Sequence, residues 1–188
     1  MTGTLLYVWS SNPKIPQVQP NVVVPYVNKN STVFRTMRLN LTMQGITPRY
    51  ERLDNKLSSD YAYDRLFREL WDKEEPFIIV EHDIFPWPGA IQQIWECEEP
   101  WCGYQYYVHG GLHSYLGCVK FNPKELGDCP LPSDKLHWAE IDMKVINELV
   151  NRGRDGHLHE PAVSHLNFGH HIITSVGGEM HPDLVFDN

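Results

Sequence analysis

The chain has 188 residues, of which 41% are hydrophobic and 21% charged, and its formal net charge is −8 at pH 7. This length and composition fit one globular domain with a real core, and they exclude strong nonspecific binding of nucleic acid by the surface as a whole. No apolar run approaches the roughly 20 residues that span a bilayer. Residues 1–10 lack a basic n-region and a long apolar h-region, so we expect a cytoplasmic protein with no membrane contact.

The first 85 residues alternate between predicted strands and helices. A buried strand at 21–27 precedes a helix that is capped by Ser31 and ends near Gly45. Residues 49–53 predict a second strand. The next helix, capped by Asp60, has the clearest apolar stripe in the sequence: Tyr63, Leu66, Phe67, Leu70 and Trp71. The apolar run 77–80 is typical of a parallel strand covered on both faces.

The second half predicts a helix after Pro88, strands at 104–108 and 116–121, a helix at 138–151 and late strands at 163–168 and 172–176. Alternating strands and helices predict an α/β/α sandwich with a mainly parallel sheet. We expect one domain over 1–188, with a nucleotide-binding half at about 20–85, an acceptor and metal-completing half at about 86–176, and a tail at 177–188.

Two carboxylates and an imidazole, Glu81-His82-Asp83, follow the strand at 77–80 directly. Ligands of open α/β sheets bind at the carboxyl ends of strands. Oxygen and imidazole ligands there suit Mn²⁺ or Mg²⁺, which in turn bridges phosphates. The alternative interpretation is an ordinary polar loop.

Three histidines, His157, His159 and His165, lie within nine residues. Alternating residues of an extended segment project to the same face, so His157 and His159 could share one site. His165 would share that face only in an unbroken strand, which Pro161 disfavours.

An acidic residue lies on the apolar stripe predicted for the helix at 138–151. Trp138, Asp142, Val145 and Leu149 share that predicted face, and an acid there is costly unless it is paired or functional. A capping or salt-bridge role is the structural alternative for Asp142. Trp101 and Trp138 are candidate acceptor contacts, although core packing explains most aromatic residues of this region.

The order of these motifs resembles the GT-A glycosyltransferases, in which a nucleotide-binding βαβαβ half ends in an apolar strand and an acidic DxD-type motif. It is similar to small glycosyltransferases of phages and actinobacteria over roughly residues 20–170. The motifs that carry the resemblance are at 22–28, 50–55, 77–83, 100–104, 116–121, 138–142 and 157–165. The departure is Glu81, where the family has Asp as the first acid.

The resemblance implies a nucleoside-diphosphate sugar as donor, with its site centred on Glu81-His82-Asp83. Asp83 would bind the metal ion, and Glu81 would approach the ribose or a metal-bound water. His165, or else His159, would complete the metal shell. Asp142 would be the catalytic base of an inverting reaction, with Glu140 in reserve. The nucleoside pocket would be lined after the first two strands by Pro25, Tyr26, Asn28 and Asp54.

The acceptor is not readable from the sequence. A hydroxylated DNA base is one candidate, because the resemblance is to phage proteins and because residues 29–56 hold six basic and two acidic residues, a local balance of +4. Small-molecule, glycan and protein acceptors are together favoured over DNA. Two other functions stay open: a metal-dependent hydrolase built on Glu81, Asp83 and the histidines, and a nucleotide- or carbohydrate-binding module without turnover.

The four cysteines, Cys97, Cys102, Cys118 and Cys129, are expected to be reduced thiols in a chain of this kind. Their spacing lacks the paired CxxC of structural zinc sites, so the sequence does not predict a zinc ion.

Overall fold

The structure is a computed structural model that describes residues 19–53, 61–108, 111–113, 116–133, 135–136, 138–166 and 172–174. The helices in these ranges are α1 (Thr32–Met43), α2 (Ala62–Trp71), α3 (Ala90–Glu96), α4 (Pro123–Leu126) and α5 (Trp138–Asn151). The strands are β1 (Val22–Tyr26), β2 (Arg49–Arg52), β3 (Phe77–Val80), β4 (Ile84–Pro86), β5 (Trp101–Tyr104), β6 (Tyr106–Val108), β7 (Gly111–His113), β8 (Cys118–Phe121), β9 (His157–His159), β10 (Val163–Leu166) and β11 (Ile172–Thr174).

Six strands form the central sheet in the order β2-β1-β3-β8-β5-β9. Neighbours pair in parallel except on the two sides of β8, which runs antiparallel to both β3 and β5. A second sheet, β11-β10-β4, is antiparallel, and β6 pairs with β7 as a hairpin. The central sheet is therefore mainly parallel, as predicted.

Helices cover both faces of this sheet. The apolar residues of α2 and α5 pack on one face around Ile79 and Phe121. Those of α1 and α3 pack on the other face around Ile78 and Val80. The four residues of β3 are completely buried because a parallel strand between two helical layers has no solvent face. The predicted GT-A-like α/β/α sandwich is confirmed.

Local signals placed most of the early elements correctly. The Ser31 side chain accepts a hydrogen bond from the backbone N–H of Phe34 at 3.0 Å, so Ser31 caps α1 as predicted. Gly45, with φ of +73°, follows the end of that helix in the left-handed region. The predicted cap of α2 was wrong by one position, because Tyr61 rather than Asp60 precedes the first helical residue, and Asp60 itself lies outside the described residues.

Short strands were predicted less well. The single strand expected at 104–108 is two strands, β5 and β6, separated at Gln105. Strand β4 lies in the proline-containing segment before α3, where no strand was predicted. It pairs with β10, about 80 residues later in the chain. Such pairings depend on the whole fold, and a local pattern does not reveal them.

Parallel pairing brings the ends of several strands to one edge of the central sheet, which we call the carboxyl edge and which holds Tyr26, Arg52, Val80 and Tyr104. Val22 pairs with Ile78 and Val23 with Ile79. Continuing that register places Pro25 level with Glu81. The predicted nucleoside-binding residues and the acidic motif therefore lie at the same edge.

Candidate functional site

The acidic motif forms a tight turn at the carboxyl edge, held by its backbone. The Glu81 carbonyl accepts a hydrogen bond from the Ile84 N–H at 3.0 Å, and the Glu81 N–H donates to the Gly117 carbonyl at 2.9 Å. The Tyr63 hydroxyl, from the first turn of α2, donates to Glu81 Oε1 at 3.1 Å. The end of β3 is thus joined to the start of β8 and to α2, which gives the motif a defined geometry.

A second polar pair at this edge is Asp83 and His165. His165 Nε2 lies 3.4 Å from Asp83 Oδ2, and the two side chains are 16% and 20% exposed. The pairing of β4 with β10 explains their meeting, because His165 is opposite Ile84 and the Leu166 N–H donates to the Asp83 carbonyl at 2.7 Å. Two residues 82 positions apart in the chain are brought together by the second sheet.

The Tyr106 ring orients the imidazole of His165. The two rings are stacked, with centroids 5.8 Å apart and an interplanar angle of 15°. Tyr106 in turn lies directly over Gly117, where an added Cβ would be 2.5–2.6 Å from the Tyr106 ring and hydroxyl. Gly117 therefore allows the close approach of Tyr106 while its carbonyl holds Glu81.

Asp83 is a carboxylate at neutral pH. Burial alone raises its pKa, but the hydrogen bond from His165 and the charges of His82 and His165 outweigh burial, so the pKa of Asp83 is lowered from its usual value. His165 Nδ1 is buried and has no hydrogen-bond partner among the described residues. An ionised carboxylate and an imidazole with one unsatisfied buried nitrogen form a site to which a cation or a polar ligand could bind.

The predicted nucleoside-binding residues have different environments. Pro25 is buried in β1, and the Tyr26 ring stacks on Phe34 with centroids 4.5 Å apart. Asn28 is exposed, and its side-chain oxygen accepts a hydrogen bond from the Asn30 N–H at 2.9 Å. Asp54 lies outside the described residues. The exposed residues among these lie at the carboxyl edge, where a planar base could stack.

Helix α5 starts near the carboxyl edge. The N–H of Leu136, two residues before the helix, donates to Asp64 Oδ1 at 3.3 Å in the first turn of α2. Asp64 is almost completely buried and is paired with Arg68 at 2.8 Å, so this junction is firmly held. At the other end of α5, Arg152 donates to the Asp128 carbonyl. The helix therefore lies beside α2 and runs in the same direction.

The predicted base residues lie in the first part of α5. The buried stripe of that helix is Ile141, Val145 and Leu149, and Ile141 occupies the place that the predicted stripe gave to Asp142. Glu140 is exposed, and the side chain of Asp142 lies outside what the structure describes. The helix start brings both positions toward the carboxyl edge, and their roles remain predictions.

His159 lies in a different cluster from Asp83 and His165. Its ligand atom, Cys97 Sγ and Cys102 Sγ all lie within 4.8 Å of one another. The rings of His157 and His159 are side by side, with centroids 4.1 Å apart, as their alternation along β9 predicts. Burial, followed by the charges of His157 and Lys120, lowers the pKa of His159, while burial raises the pKa of the Cys102 thiol. No pattern in the sequence indicates that these cysteines lie beside the histidines.

Trp101 is not an acceptor contact. It is 4% exposed, and its indole N–H donates to the Arg154 carbonyl at 2.7 Å. An added Cβ at Gly156 would lie 2.1–2.4 Å from the same ring, so Gly156 packs flat against Trp101. The role of Trp101 is to hold the turn that precedes β9.

A cavity of about 390 Å³ lies at the opposite edge of the sheet from the acidic motif. Its lining includes Asn21 and Pro76, which precede β1 and β3, together with Arg49 and Trp95. Arg49 is paired there with Glu51 and with Glu69. This cavity therefore lies away from the predicted nucleotide site. The carboxylates of Glu81 and Asp83 make the predicted nucleotide site the better candidate for a functional site.

Comparison with known proteins bears on the fold alone. No family model matches the chain, and no curated protein sequence matches it. A197 from STIV is similar with a TM-score of 0.62 and 8% identity, over 87% of this chain and 93% of that chain. A glycosyltransferase involved in the glycosylation of the major capsid of PBCV-1 matches with a TM-score of 0.42 and 10% identity, over 76% of this chain and 82% of that chain. The likeness to A197 shows a shared fold, and the second match carries no further argument.

None of the helices that the structure describes combines the length and the apolar character that crossing a membrane requires.

Proposed function

We propose that the protein is a metal-dependent glycosyltransferase that moves a sugar from a nucleotide-sugar donor to a hydroxyl acceptor. The observation that carries this proposal is the meeting of Asp83 and His165, 3.4 Å apart, beside Glu81 at the carboxyl edge of a mainly parallel sheet. Ligands of open α/β sheets bind at this edge. The order of the sequence motifs supports the same activity by resemblance.

The donor set fits a divalent cation of the Mn²⁺ or Mg²⁺ kind. Asp83 offers an ionised oxygen and His165 a ring nitrogen, and both are partly buried. Metal binding requires deprotonated ligands, so the ion would bind when Asp83 is ionised and the imidazole of His165 is neutral. When bound, the ion supplies positive charge to the diphosphate that leaves from the sugar. Water and the phosphates would complete the coordination, as they do in most Mg²⁺ sites.

The nucleotide sugar would lie across the carboxyl edge between β1 and β3. Tyr26, stacked on Phe34, offers a ring beside the base, and Pro25, Asn28 and Asp54 are the other positions assigned to the nucleoside. Glu81, held by Tyr63, is assigned to the ribose or to a metal-bound water. His82, next to Asp83 in the chain, is also assigned to the nucleotide-sugar site.

Asp142 is proposed as the base that takes the proton of the acceptor hydroxyl. As that oxygen forms its bond to the anomeric carbon, the bond from this carbon to the nucleoside diphosphate breaks, and the configuration is inverted. The start of α5 near α2 and the carboxyl edge supports this placement. Glu140, exposed on the same part of the helix, is the reserve candidate.

The test is a thermal-shift screen of nucleoside diphosphates with and without Mn²⁺. A glycosyltransferase of this kind is stabilised by nucleotide and metal together more than by either alone, by about 2.7 kcal/mol at a hundredfold excess over Kd. Asp83→Ala is expected to abolish this coupling without unfolding the protein. Asp72→Ala, an exposed aspartate at the end of α2, is the matched control and should keep it.

Each other outcome points to a different function. Metal binding without nucleotide would favour the hydrolase, and nucleotide or sugar binding that ignores metal would favour the binding module. If Asp83→Ala binds nucleotide with the same metal dependence as the parent, the proposed metal site is wrong. A positive screen should be followed by hydrolysis and transfer assays with the sugar forms of the nucleotide that binds.

A further inference from the structure

A cluster of sulfur and nitrogen atoms lies around β9, the last strand in the order of the central sheet. It is separate from the Asp83–His165 pair. Cys97 follows α3, Cys102 lies in β5, and His159 lies in β9. The parallel pairing of β5 with β9 sets Cys102 opposite His157 and Tyr104 opposite His159. The alternate residues Cys102 and Tyr104, with the two histidines, therefore project from one face of the sheet.

The distances in this cluster match a tetrahedral zinc site. Bonds of about 2.3 Å to sulfur and about 2.0–2.1 Å to nitrogen give edges of roughly 3.6 Å between sulfur and nitrogen and roughly 3.8 Å between two sulfurs. Cys97 Sγ lies 3.6 Å from His157 Nδ1. The ligand atoms of Cys97, Cys102 and His159 are all within 4.8 Å of one another. These three residues are near enough to share one ion, and His157 lies beside Cys97 as the candidate fourth ligand.

Packing does not explain this cluster. His159 Nε2 is buried without a hydrogen-bond partner among the described residues, and such an atom destabilises a fold unless something satisfies it. Cys102 is completely buried, and its thiol lies 3.4 Å from the Ile94 carbonyl and close to the Cys97 sulfur. Lys120, 5% exposed, donates to the Cys97 carbonyl and adds a positive charge beside the sulfurs.

We propose that Cys97, Cys102, His157 and His159 bind one structural Zn²⁺ ion. Two thiolates and two imidazoles select zinc by their softness and by tetrahedral geometry, whereas the carboxylate-containing site at Asp83 suits a harder cation. Two thiolates also neutralise the charge of the ion. The proposal is independent of the glycosyltransferase activity, since it requires neither nucleotide nor the Asp83–His165 pair.

The ion would join three elements: β9, β5 and the end of α3. Strand β9 has three residues, pairs with β5 alone among the strands described, and is preceded by the turn that Trp101 and Gly156 form. Six residues after His159, the chain reaches His165 of β10. A zinc ion that attaches β9 to β5 and to the end of α3 therefore also fixes the point from which the chain runs to His165.

The test is metal analysis of the full-length chain, purified under reducing conditions with any affinity tag removed. We expect one zinc ion per chain. Replacement of zinc by Co²⁺ should give a thiolate-to-cobalt charge-transfer band and the strong visible bands of tetrahedral cobalt. Cys97→Ser and His157→Ala, both at partly exposed positions, should each lower zinc affinity by more than the roughly 10–100-fold that loss of an outer-shell partner costs. Cys129→Ser, a partly buried thiol elsewhere in the fold, should leave affinity unchanged.

Three results would overturn the proposal. One is reduced parent protein that neither contains zinc nor binds it on titration. Another is a disulfide between Cys97 and Cys102 in protein that lacks the metal. The third is a bound zinc ion whose affinity is the same in Cys97→Ser as in Cys129→Ser. A zinc affinity that is unchanged in His157→Ala alone would show that His157 is not a ligand. That result would contradict the four-ligand structural site, because one coordination position of the ion would be open. Circular dichroism of each variant shows whether it has folded.

Discussion

At the residue scale, Gly117 links the two halves of the candidate metal site. Its carbonyl accepts the Glu81 N–H, and the space above it is taken by Tyr106, which stacks on His165. Neither contact requires an unusual backbone angle, so the reason for glycine is the missing side chain. A residue with no chemistry of its own thereby controls the orientation of a predicted metal ligand.

Replacing Gly117 by Ala should displace the Tyr106 ring, because the new Cβ would lie 2.5–2.6 Å from it. We expect a stability loss of about 1–3 kcal/mol from overpacking and a roughly 10-fold weaker Mn²⁺ affinity, since His165 loses its supporting ring. Titration calorimetry on the folded variant measures the affinity. Gly103→Ala, equally crowded but against Val119, is the control that loses stability and keeps its affinity. Equal affinities in the two variants would show that Tyr106 does not orient the ligand.

The sequence predicted the separate parts of the site better than their grouping. Glu81-His82-Asp83 was recognisable because polar residues follow an apolar run. The contact of His165 with Asp83 depends on pairing between β4 and β10, and no local pattern encodes that register. The Cys-His cluster was missed for the same reason: the spacing of Cys97 and Cys102 differs from CxxC, and their histidine neighbours come from a strand 55 residues further along the chain.

At the scale of elements, the long periodic segments were the predictable ones. Helices α1, α2 and α5 carry apolar stripes, and β1 and β3 are apolar runs between clear boundaries. The reversed direction of β8 was not predictable, because the residue pattern of a four-residue strand does not reveal its direction. The placement of α5 beside α2 depends on the buried Asp64–Arg68 pair and its bond to Leu136, contacts between distant parts of the chain.

The position of α5 leads to a prediction about its acids. Asp142→Asn should preserve donor binding and lower sugar transfer, or hydrolysis of the donor, by about 100-fold or more, the usual scale of general base catalysis. Glu140→Gln, from the exposed side of the same helix turn, is the control and should stay near the parental rate. Steady-state rates with the donor found in the nucleotide screen provide the measurement. The reverse pattern would assign the base to Glu140, and near-parental rates in both would argue against an inverting mechanism.

At the scale of the whole molecule, charge is distributed unevenly. The net charge of −8 coexists with a local charge of +4 at residues 29–56. The structure shows which basic residues of that segment are paired and which are exposed. Arg49 is paired with two glutamates, and Lys56 lies outside the described residues. Lys29 and Arg52 are exposed at the carboxyl edge, and Arg35 and Arg38 are exposed on α1. Fewer basic side chains are therefore available to bind an acceptor than the six counted in the sequence. Two of them, Lys29 and Arg52, lie at the same edge as the candidate site.

This distribution gives the acceptor hypothesis a specific test. Duplex DNA that carries 5-hydroxymethylpyrimidines is offered with labelled nucleotide sugars and Mn²⁺. If DNA is the acceptor, label enters it, and incorporation falls as salt rises from about 50 to 200 mM, because phosphate contacts release counterions. Lys29→Ala combined with Arg52→Ala should weaken the incorporation and its salt dependence. Lys124→Ala, exposed on α4 at the other edge, should change neither. No incorporation by a preparation that hydrolyses a donor would direct attention to glycan, protein or small-molecule acceptors.

The reversed strand β8 also bears on the order in which the chain can assemble. In the sheet β8 separates β3 from β5, yet it follows both in the sequence. A nascent chain that has emerged only as far as β5 can pair β1 with β2 and β3, but β5 has no native neighbour until residues 118–121 arrive. Until then, β3 presents four apolar residues along an unpaired edge, the kind of edge that promotes aggregation. During synthesis, the risk of misassembly is therefore concentrated in the interval between β3 and β8.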